Sequence, residues 1–283
     1  MPSTQDLRRK IRSVTSTGKL TRAMQMVAAS KMNKAVQAAT ASRAYSDLAW
    51  SVVSELANGT EYQHPLLTVR ETGPDLIILF TSNRGLAGSF NAQVVRAAVR
   101  TLKPEGGIVT VGRKGLAHIR RYYSGQLVAD FPESDTLPRS MDIHPIAQFA
   151  ISEFMAGRYR RVLVAYNKFK STLRQVPTIE QLLPVTPPET EVNQAIASEY
   201  RIEPDAPTVI NALLRRVVPS RLYQLALDSM ASEHSARMLA MRSATDNANE
   251  LVDDLTLTYQ WVRQANITRE IIEVSSGANA LAA

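Results

Sequence analysis

The stretch Ser220–Ser276 runs for 57 residues without a glycine or a proline, and Gly277 follows it as the expected helix stop. As one helix it would measure about 85 Å at ~1.5 Å per residue. Size scaling makes a compact body of this chain length only about 40–50 Å across. Such a helix cannot be wholly enclosed by its own chain. Either it extends past the body, or other chains surround it.

The register of this stretch calls for a partner helix. Met241, Ala248, Leu255 and Val262 recur every seventh residue. Ala244, Leu251, Thr258, Ala265 and Ile272 form a second row, offset by three. Heptads sustained this long argue for a coiled coil rather than a core helix of an ordinary bundle. The seam is rich in small residues, which lets two backbones approach closely.

The N-terminal end supplies a second such helix. Ser3 stands three residues before Asp6, a variant of the capping box. From there to Ala57 the only breaker is Gly18, and Asn58-Gly59 forms a stop. Leu7, Val14, Thr21, Ala28, Ala35, Ser42, Ala49 and Leu56 make one row. Ile11, Gly18, Gln25, Met32, Ala39, Ser46 and Val53 make the other. In Leu20–Met32, "LTRAMQMVAASKM", Leu20, Met24 and Val27 lie on a different face from Thr21, Ala28 and Met32. A helix apolar on more than one face is enclosed on more than one side. Its own body or a socket built by other subunits would serve equally.

Charge is uneven along the chain. The net charge is +7, yet residues 1–44 alone hold nine cations against Asp6, a local +8. A basic helix beside a near-neutral body implies a local anionic partner: nucleic acid, anionic lipid or an acidic protein surface. There is no cysteine, so disulfides, thiolate metal sites and thiol switches are excluded, and a reducing, cytoplasmic-side location is expected. Neither a signal peptide nor an 18-residue apolar run is visible.

Between the helices the pattern changes. After a linker with Pro65 and Gly73-Pro74, "DLIILFT" (75–81) is a continuous apolar run typical of a strand buried on both faces. Helices over 91–103, 113–124 and 144–157 then alternate with strands over 107–112, 126–131, 159–166 and 168–175. That alternation predicts a mostly parallel, helix-flanked sheet. Residues 176–207 are proline-rich and lead back to the last helix, which Pro219 should kink or restart. The expected fold class is therefore α/β: a long antiparallel α-helical coiled coil from both termini, plus a Rossmann-like α/β domain inserted between them. The expected division is 1–58, 59–207 and 208–283.

Chemistry is hard to find. "TSNRGLAGSFN" (81–91) joins the first strand to its helix, where free N–H groups can hold phosphate. It matches neither glycine-rich nucleotide motif, and a tight turn with helix capping explains it better. Gly85 and Gly88 are the positions expected to need glycine geometry. His64, His118, His144 and His234 are scattered without ligand spacing, so no metal is expected. Glu250, Asp253 and Asp254 suit a solvated helix face, and no serine sits in a nucleophile elbow. No catalytic residue is assigned and no cofactor is expected. A nucleotide enzyme built on the α/β domain is one competing reading. A nucleic-acid-binding coiled coil is the other; it is disfavoured because residues 1–44 lack aromatics.

The stretches 20–32, 81–91, "NKFKSTLRQVPTIEQLLP" (167–184), "AMRSATDN" (240–247) and "RQANITREIIEVSSG" (263–277) together resemble the gamma subunit of F-type ATP synthases, in family order from end to end. The family commonly has Asp at Asn83, Cys at Ala87 and Gly at Ser89, and runs its last helix without a proline such as Pro219. The resemblance implies a central rotor shaft without catalytic residues of its own. Its partners would be the alpha and beta subunits of a hexamer, the epsilon subunit and the membrane c-ring, with only indirect membrane contact and no nucleic acid. By the same resemblance Arg22, Met24, Lys31, Arg263, Gln264 and Thr268 would face the beta subunits. Tyr200, Glu203 and Asp205 would form the foot near epsilon and the c-ring. The location implied is the cytoplasmic face of the bacterial inner membrane.

Overall fold

A computed structural model describes residues 3–59, 64–134, 136–185, 203 and 205–282. The chain divides into two compact units, one of residues 1–27 with 238–283, the other of residues 28–237.

The first unit is a pair of antiparallel helices: the start of α1 (Thr4–Gly59) and the end of α5 (Ala206–Ala282). The Ser3 hydroxyl accepts from the Asp6 amide at 3.1 Å and donates to the Asp6 carboxylate at 2.7 Å, so α1 is capped as its sequence implies. Leu7, Gly18 and Thr21 are buried, and Ile11 and Val14 half-buried, which is the α1 seam expected from spacing. A Cβ on Gly18 would lie 3.4 Å from the Ala248 Cβ, so the backbones run close here. The Thr21 and Thr245 hydroxyls meet at 2.7 Å, each also donating or sharing its proton within its own helix turn.

On α5 the row Met241, Ala248, Leu255, Val262 faces inward as expected. The second row does so only in part: Ala244 and Thr258 are half-buried. Leu251 is 47% exposed and Ile272 58%, with Ala265 exposed too. The more regular inward row is Thr245, buried, with Val252, Tyr259 and Asn266, half-buried. A heptad alternates steps of three and four, and here four follows Met241 where three was expected. Gly277 does not stop the helix, which continues to Ala282. An exposed glycine costs a helix only about 1 kcal/mol.

The second unit is built on a five-stranded sheet. Its strands are β1 (Asp75–Phe80), β2 (Gly107–Val111), β3 (Leu127–Phe131), β4 (Arg161–Ser171) and β5 (Arg174–Leu183), in the order β3-β2-β1-β4-β5. All neighbours are parallel except β4 and β5, which form an antiparallel hairpin. The two short strands expected over 159–175 are thus one long strand and the start of its return. That return uses residues 176–183, which the prolines had suggested were linker. Pro177 is tolerated because β5 is an edge strand.

β1 is buried on both faces, as its apolar run requires. Ile77 and Leu79 pack with Val94, Val95 and Ala98 of α2 (Phe90–Thr101) and Ile119 of α3 (Arg113–Tyr122). Leu76, Ile78 and Phe80 pack on the other face with α4 (Ser140–Met155) and with Leu214, Val218 and Leu222 of α5. Each such side chain contributes about 1.5–3 kcal/mol on burial. That sum explains why Pro219, itself buried, neither breaks nor restarts α5: the proline penalty of about 3 kcal/mol is outweighed by its neighbours. At the start of β1, burial pushes the Asp75 carboxyl upward. The Arg161 and Arg160 guanidiniums, at 2.8 Å each, more than offset this and hold it at about 2.

The end of β1 abuts the turn into α3. A Cβ on Gly112, whose φ is +96°, would sit 1.9 Å from the Thr81 carbonyl oxygen. Gly85 has no such constraint; its Cβ would meet only Lys114 at 3.8 Å. The left-handed residues of the β1–α2 loop are Leu86 and Gly88. Glycine geometry is therefore required at Gly112, not Gly85. Gly112→Ala should cost about 3–5 kcal/mol in urea unfolding of the full chain, and Gly85→Ala less than about 0.5 kcal/mol.

Candidate functional site

In the first unit the surface outside the seam is both apolar and basic. Leu20 and Val27 are 61% and 58% exposed, amid exposed Arg9, Arg12, Lys19 and Arg22. Within this unit the partner helix leaves Leu20 and Val27 uncovered. Met24 is half-buried, and Arg22 and Lys31 are exposed. Arg8 donates to the Tyr259 hydroxyl at 2.9 Å and lies 5.1 Å from the centre of its ring. Because α1 starts only one turn before Arg8, α5 soon runs out of partner. Residues 267–278 are all exposed. Ile267, Ile271, Ile272 and Val274 place large apolar side chains in that segment with Thr268 exposed among them, and Trp261, Arg263 and Gln264 are exposed just before it. Singly exposed apolar residues are ordinary, but a run of them on a helix without a neighbour marks a protein-interaction surface.

In the second unit α5 is enclosed on every side: residues 224–235 are all buried. Its polar side chains bond to each layer around it. Gln224 donates to the Ala39 carbonyl of α1 at 3.1 Å and accepts from the Ser42 hydroxyl. Asp228 takes the Arg43 guanidinium at 3.1 Å, though burial still pushes its carboxyl up. Ser232 donates to the Asn167 carbonyl at 2.8 Å, and Ser235 to the Thr172 carbonyl at 2.6 Å. The β4–β5 hairpin is thereby clamped to the helix. Arg237 pairs with Glu233 and donates to the carbonyls of Arg84 and Gly85 in the β1–α2 loop, at 3.3 and 3.4 Å. Burial, then the charges of Arg237 and Lys31, depress His234 to about 4, so its ring is neutral near pH 7.

The β1–α2 loop caps a helix, as expected, but the helix is α3. The amides of Arg113, Lys114 and Gly115 donate to Asn83 Oδ1 (3.3 Å), the Ser82 carbonyl (3.0 Å) and Thr81 Oγ1 (2.9 Å). These are the N–H groups a phosphate would need, and the protein's own oxygens take them. Asn91 ties the loop shut by accepting from the Ser82 amide at 3.0 Å. Asn83 bridges further, donating to the Glu133 carbonyl at 2.9 Å.

Of the foot residues, Asp205 has a structural task. Its carboxylate accepts from the Thr208 amide at 2.8 Å and hydroxyl at 3.0 Å, which caps α5. Glu203 is exposed, and Tyr200 lies outside the described residues. The structure brings Arg263, Gln264 and Thr268 together on one segment; it does not bring Arg22, Met24 and Lys31 into direct contact with them. The reach of Arg237 to the β1–α2 loop was not visible in the sequence, because Arg84 and Gly85 stand 153 and 152 residues before it.

Residues 3–281 match the ATP synthase family. The chain is 44% identical to the ATP synthase gamma chain of Roseiflexus castenholzii, over 100% of this chain and 99% of that one. It is 42% identical to the gamma chain of Dehalococcoides mccartyi over the whole of both. Among solved structures it resembles a chain of the Tetrahymena thermophila mitochondrial ATP synthase central stalk and c-ring. That likeness has a TM-score of 0.65 and 26% identity, covering 80% of this chain and 99% of that one. A chain of the Euglena gracilis mitochondrial ATP synthase rotor shares the fold, with a TM-score of 0.67 at 18% identity. The chain belongs to the ATP synthase gamma chain family.

Proposed function

We propose that this chain is the central shaft of a proton-driven ATP synthase and carries torque between a membrane c-ring and a hexamer of alpha and beta subunits. The observation that carries the reading is the lone end of α5, apolar and exposed over residues 267–278, beside a two-helix seam of small side chains. Such a tip needs a socket from other chains, and apolar, adaptable contacts let it sit there at several angles. The subunit is non-catalytic in this reading; ATP forms on the hexamer as the shaft turns. Arg22, Met24, Lys31, Arg263, Gln264 and Thr268 face the beta subunits, and Tyr200, Glu203 and Asp205 lie toward epsilon and the c-ring. Residues 1–58 and 208–283 serve as the shaft and 59–207 as its body. No helix among the described residues is long and apolar enough to cross a membrane. Attachment to the cytoplasmic face of a bacterial inner membrane is then through the ring.

The tip and the body separate in experiment. Deleting residues from Arg263 onward should leave the urea-unfolding midpoint of the full chain nearly unchanged, because the side chains of 263–278 are exposed apart from Asn266. The same deletion should weaken recovery of the chain in complexes with alpha and beta subunits. Loss of folding in the truncated chain, seen as loss of near-ultraviolet dichroism, contradicts the separation.

Met24→Lys tests the angular contacts. Met24 is half-buried beside exposed Arg22. A new cation about 4 Å from a carboxylate of a neighbouring subunit gains roughly 1–4 kcal/mol, depending on the local dielectric. The gain differs among the three beta conformations and so deepens one rotational state. ATP hydrolysis should persist while proton pumping falls relative to it, and high salt should restore part of the ratio. An unchanged pumping-to-hydrolysis ratio in assembled membranes counts against the reading.

A further inference from the structure

The second unit has a basic face of its own. Outside residues 1–44 the chain sums to −1, yet residues 90–123 hold seven cations against Glu105, a local +6 that acids elsewhere offset. α2 and α3 form one layer on one face of the sheet. Val94, Val95 and Ala98 of α2 and Ile119 of α3 pack into the same core as Ile77 and Leu79. α4 and the start of α5 cover the other face of the sheet, so the α2–α3 layer looks away from them. Its outer side carries Arg96 and Arg100 from α2, with Arg113, Lys114, Arg120 and Arg121 from α3, all exposed. Among the described residues none of these six cations forms an ion pair. The 12 residues of α2 span about 18 Å, little more than two Debye lengths at physiological salt. The six charges therefore act on a neighbouring surface as one field, and repel one another when no anion is near.

We propose that the α2–α3 face docks on anionic lipid headgroups, a direct membrane contact beside the attachment through the ring. The proposal rests on the shaft reading, which sets the body next to a membrane. A stable protein interface needs an apolar core inside a polar rim. This face has none: α2 exposes no large apolar side chain, and α3 exposes Tyr122 alone. A nucleic acid would add base stacking on open rings. The exposed rings of the two helices, His118 and Tyr122, are packed on each other at 4.9 Å between centres, and Arg121 lies 5.3 Å from the centre of Tyr122. What remains is charge spread over a flat layer. Clusters of about four to eight Lys or Arg on an amphipathic helix bind anionic bilayers by that means, with strong sensitivity to salt. α3 alone supplies four such residues, with Gly115 and Ile119 buried on its inner side. Lipids diffuse in the plane of the bilayer, so anionic headgroups follow the face as it moves. A fixed acidic subunit at the same place would instead hold a turning shaft at one angle.

The experiment uses the full chain with mixed vesicles of phosphatidylcholine and phosphatidylglycerol, and with vesicles of phosphatidylcholine alone. Ala117 is exposed on α3 and the chain has no cysteine, so Ala117→Cys carries a single fluorescent label. The labelled chain should bind the mixed vesicles and not the neutral ones, its label should be quenched by nitroxide-bearing headgroups, and added salt should release it. Replacing Arg96, Arg100, Arg113, Arg120 and Arg121 by Gln should lower partitioning at least ~tenfold. The melting midpoint of that variant should not fall, because the five side chains are exposed and repel one another. Replacing Arg9, Arg12, Lys19 and Arg22 of α1 by Gln controls for the other basic helix: headgroup quenching per bound chain should stay the same. If the five-fold variant fails to fold, quenching in the otherwise wild-type chain decides alone. An unquenched label in the bound chain, quenching that depends on the α1 cations instead, or duplex DNA bound in preference to the mixed vesicles through the same arginines overturns the inference. A chain that rotates in its complex but is not quenched refutes this inference alone. A chain that binds these vesicles but fails to assemble with alpha and beta subunits refutes the shaft reading alone.

Discussion

The contact on which the shaft depends is the close approach of α1 and α5 at Gly18 and Ala248. Only small side chains allow it. One turn further along, the Thr21 and Thr245 hydroxyls satisfy each other across the gap, which keeps polar atoms from being stranded in an otherwise apolar seam. A seam this thin buries little area per residue, so it relies on length and register rather than on bulk. Its slimness has a functional return: the large apolar groups, Leu20, Val27, Trp261, Ile271 and Val274, stay on the outside for other chains.

The same helix is handled differently in the second unit. There α5 is ringed by α1, the β4–β5 hairpin and the β1–α2 loop, and a polar side chain reaches each of them. Apolar packing holds a helix in place but leaves it free to slip; directional bonds from Gln224, Asp228, Ser232, Ser235 and Arg237 set its rotation and height. Breaking one partner of such a buried set costs more than the bond contributes, because the remaining group is left desolvated. A part that transmits torque needs this resistance to slip.

Much of this was legible in the residues. Both rows of the α1 seam follow from spacing, since small residues recur there every seventh position even where Leu20 and Val27 lie on another face. On α5 the second row was misread at Leu251, Ala265 and Ile272, which are exposed, whereas Thr245 and Asn266 face inward. Hydropathy cannot separate a residue facing its own partner helix from one kept for another subunit. Pro219 misled for a related reason: local propensity signals a break, and packing by Val217, Val218 and Leu222 overrides it. The strands of the parallel sheet were visible, but the hairpin was not, because Pro177 fits an edge that only the topology creates.

The central claim is that this chain turns inside other subunits. Since it has no cysteine, one introduced residue can carry a probe, and Gly125 is exposed with open space around an added Cβ. A bead attached to Gly125→Cys, in a complex whose alpha and beta subunits are fixed to glass, should rotate continuously in one direction when ATP is supplied. ATP hydrolysis by the same complexes with the bead stationary would contradict the account.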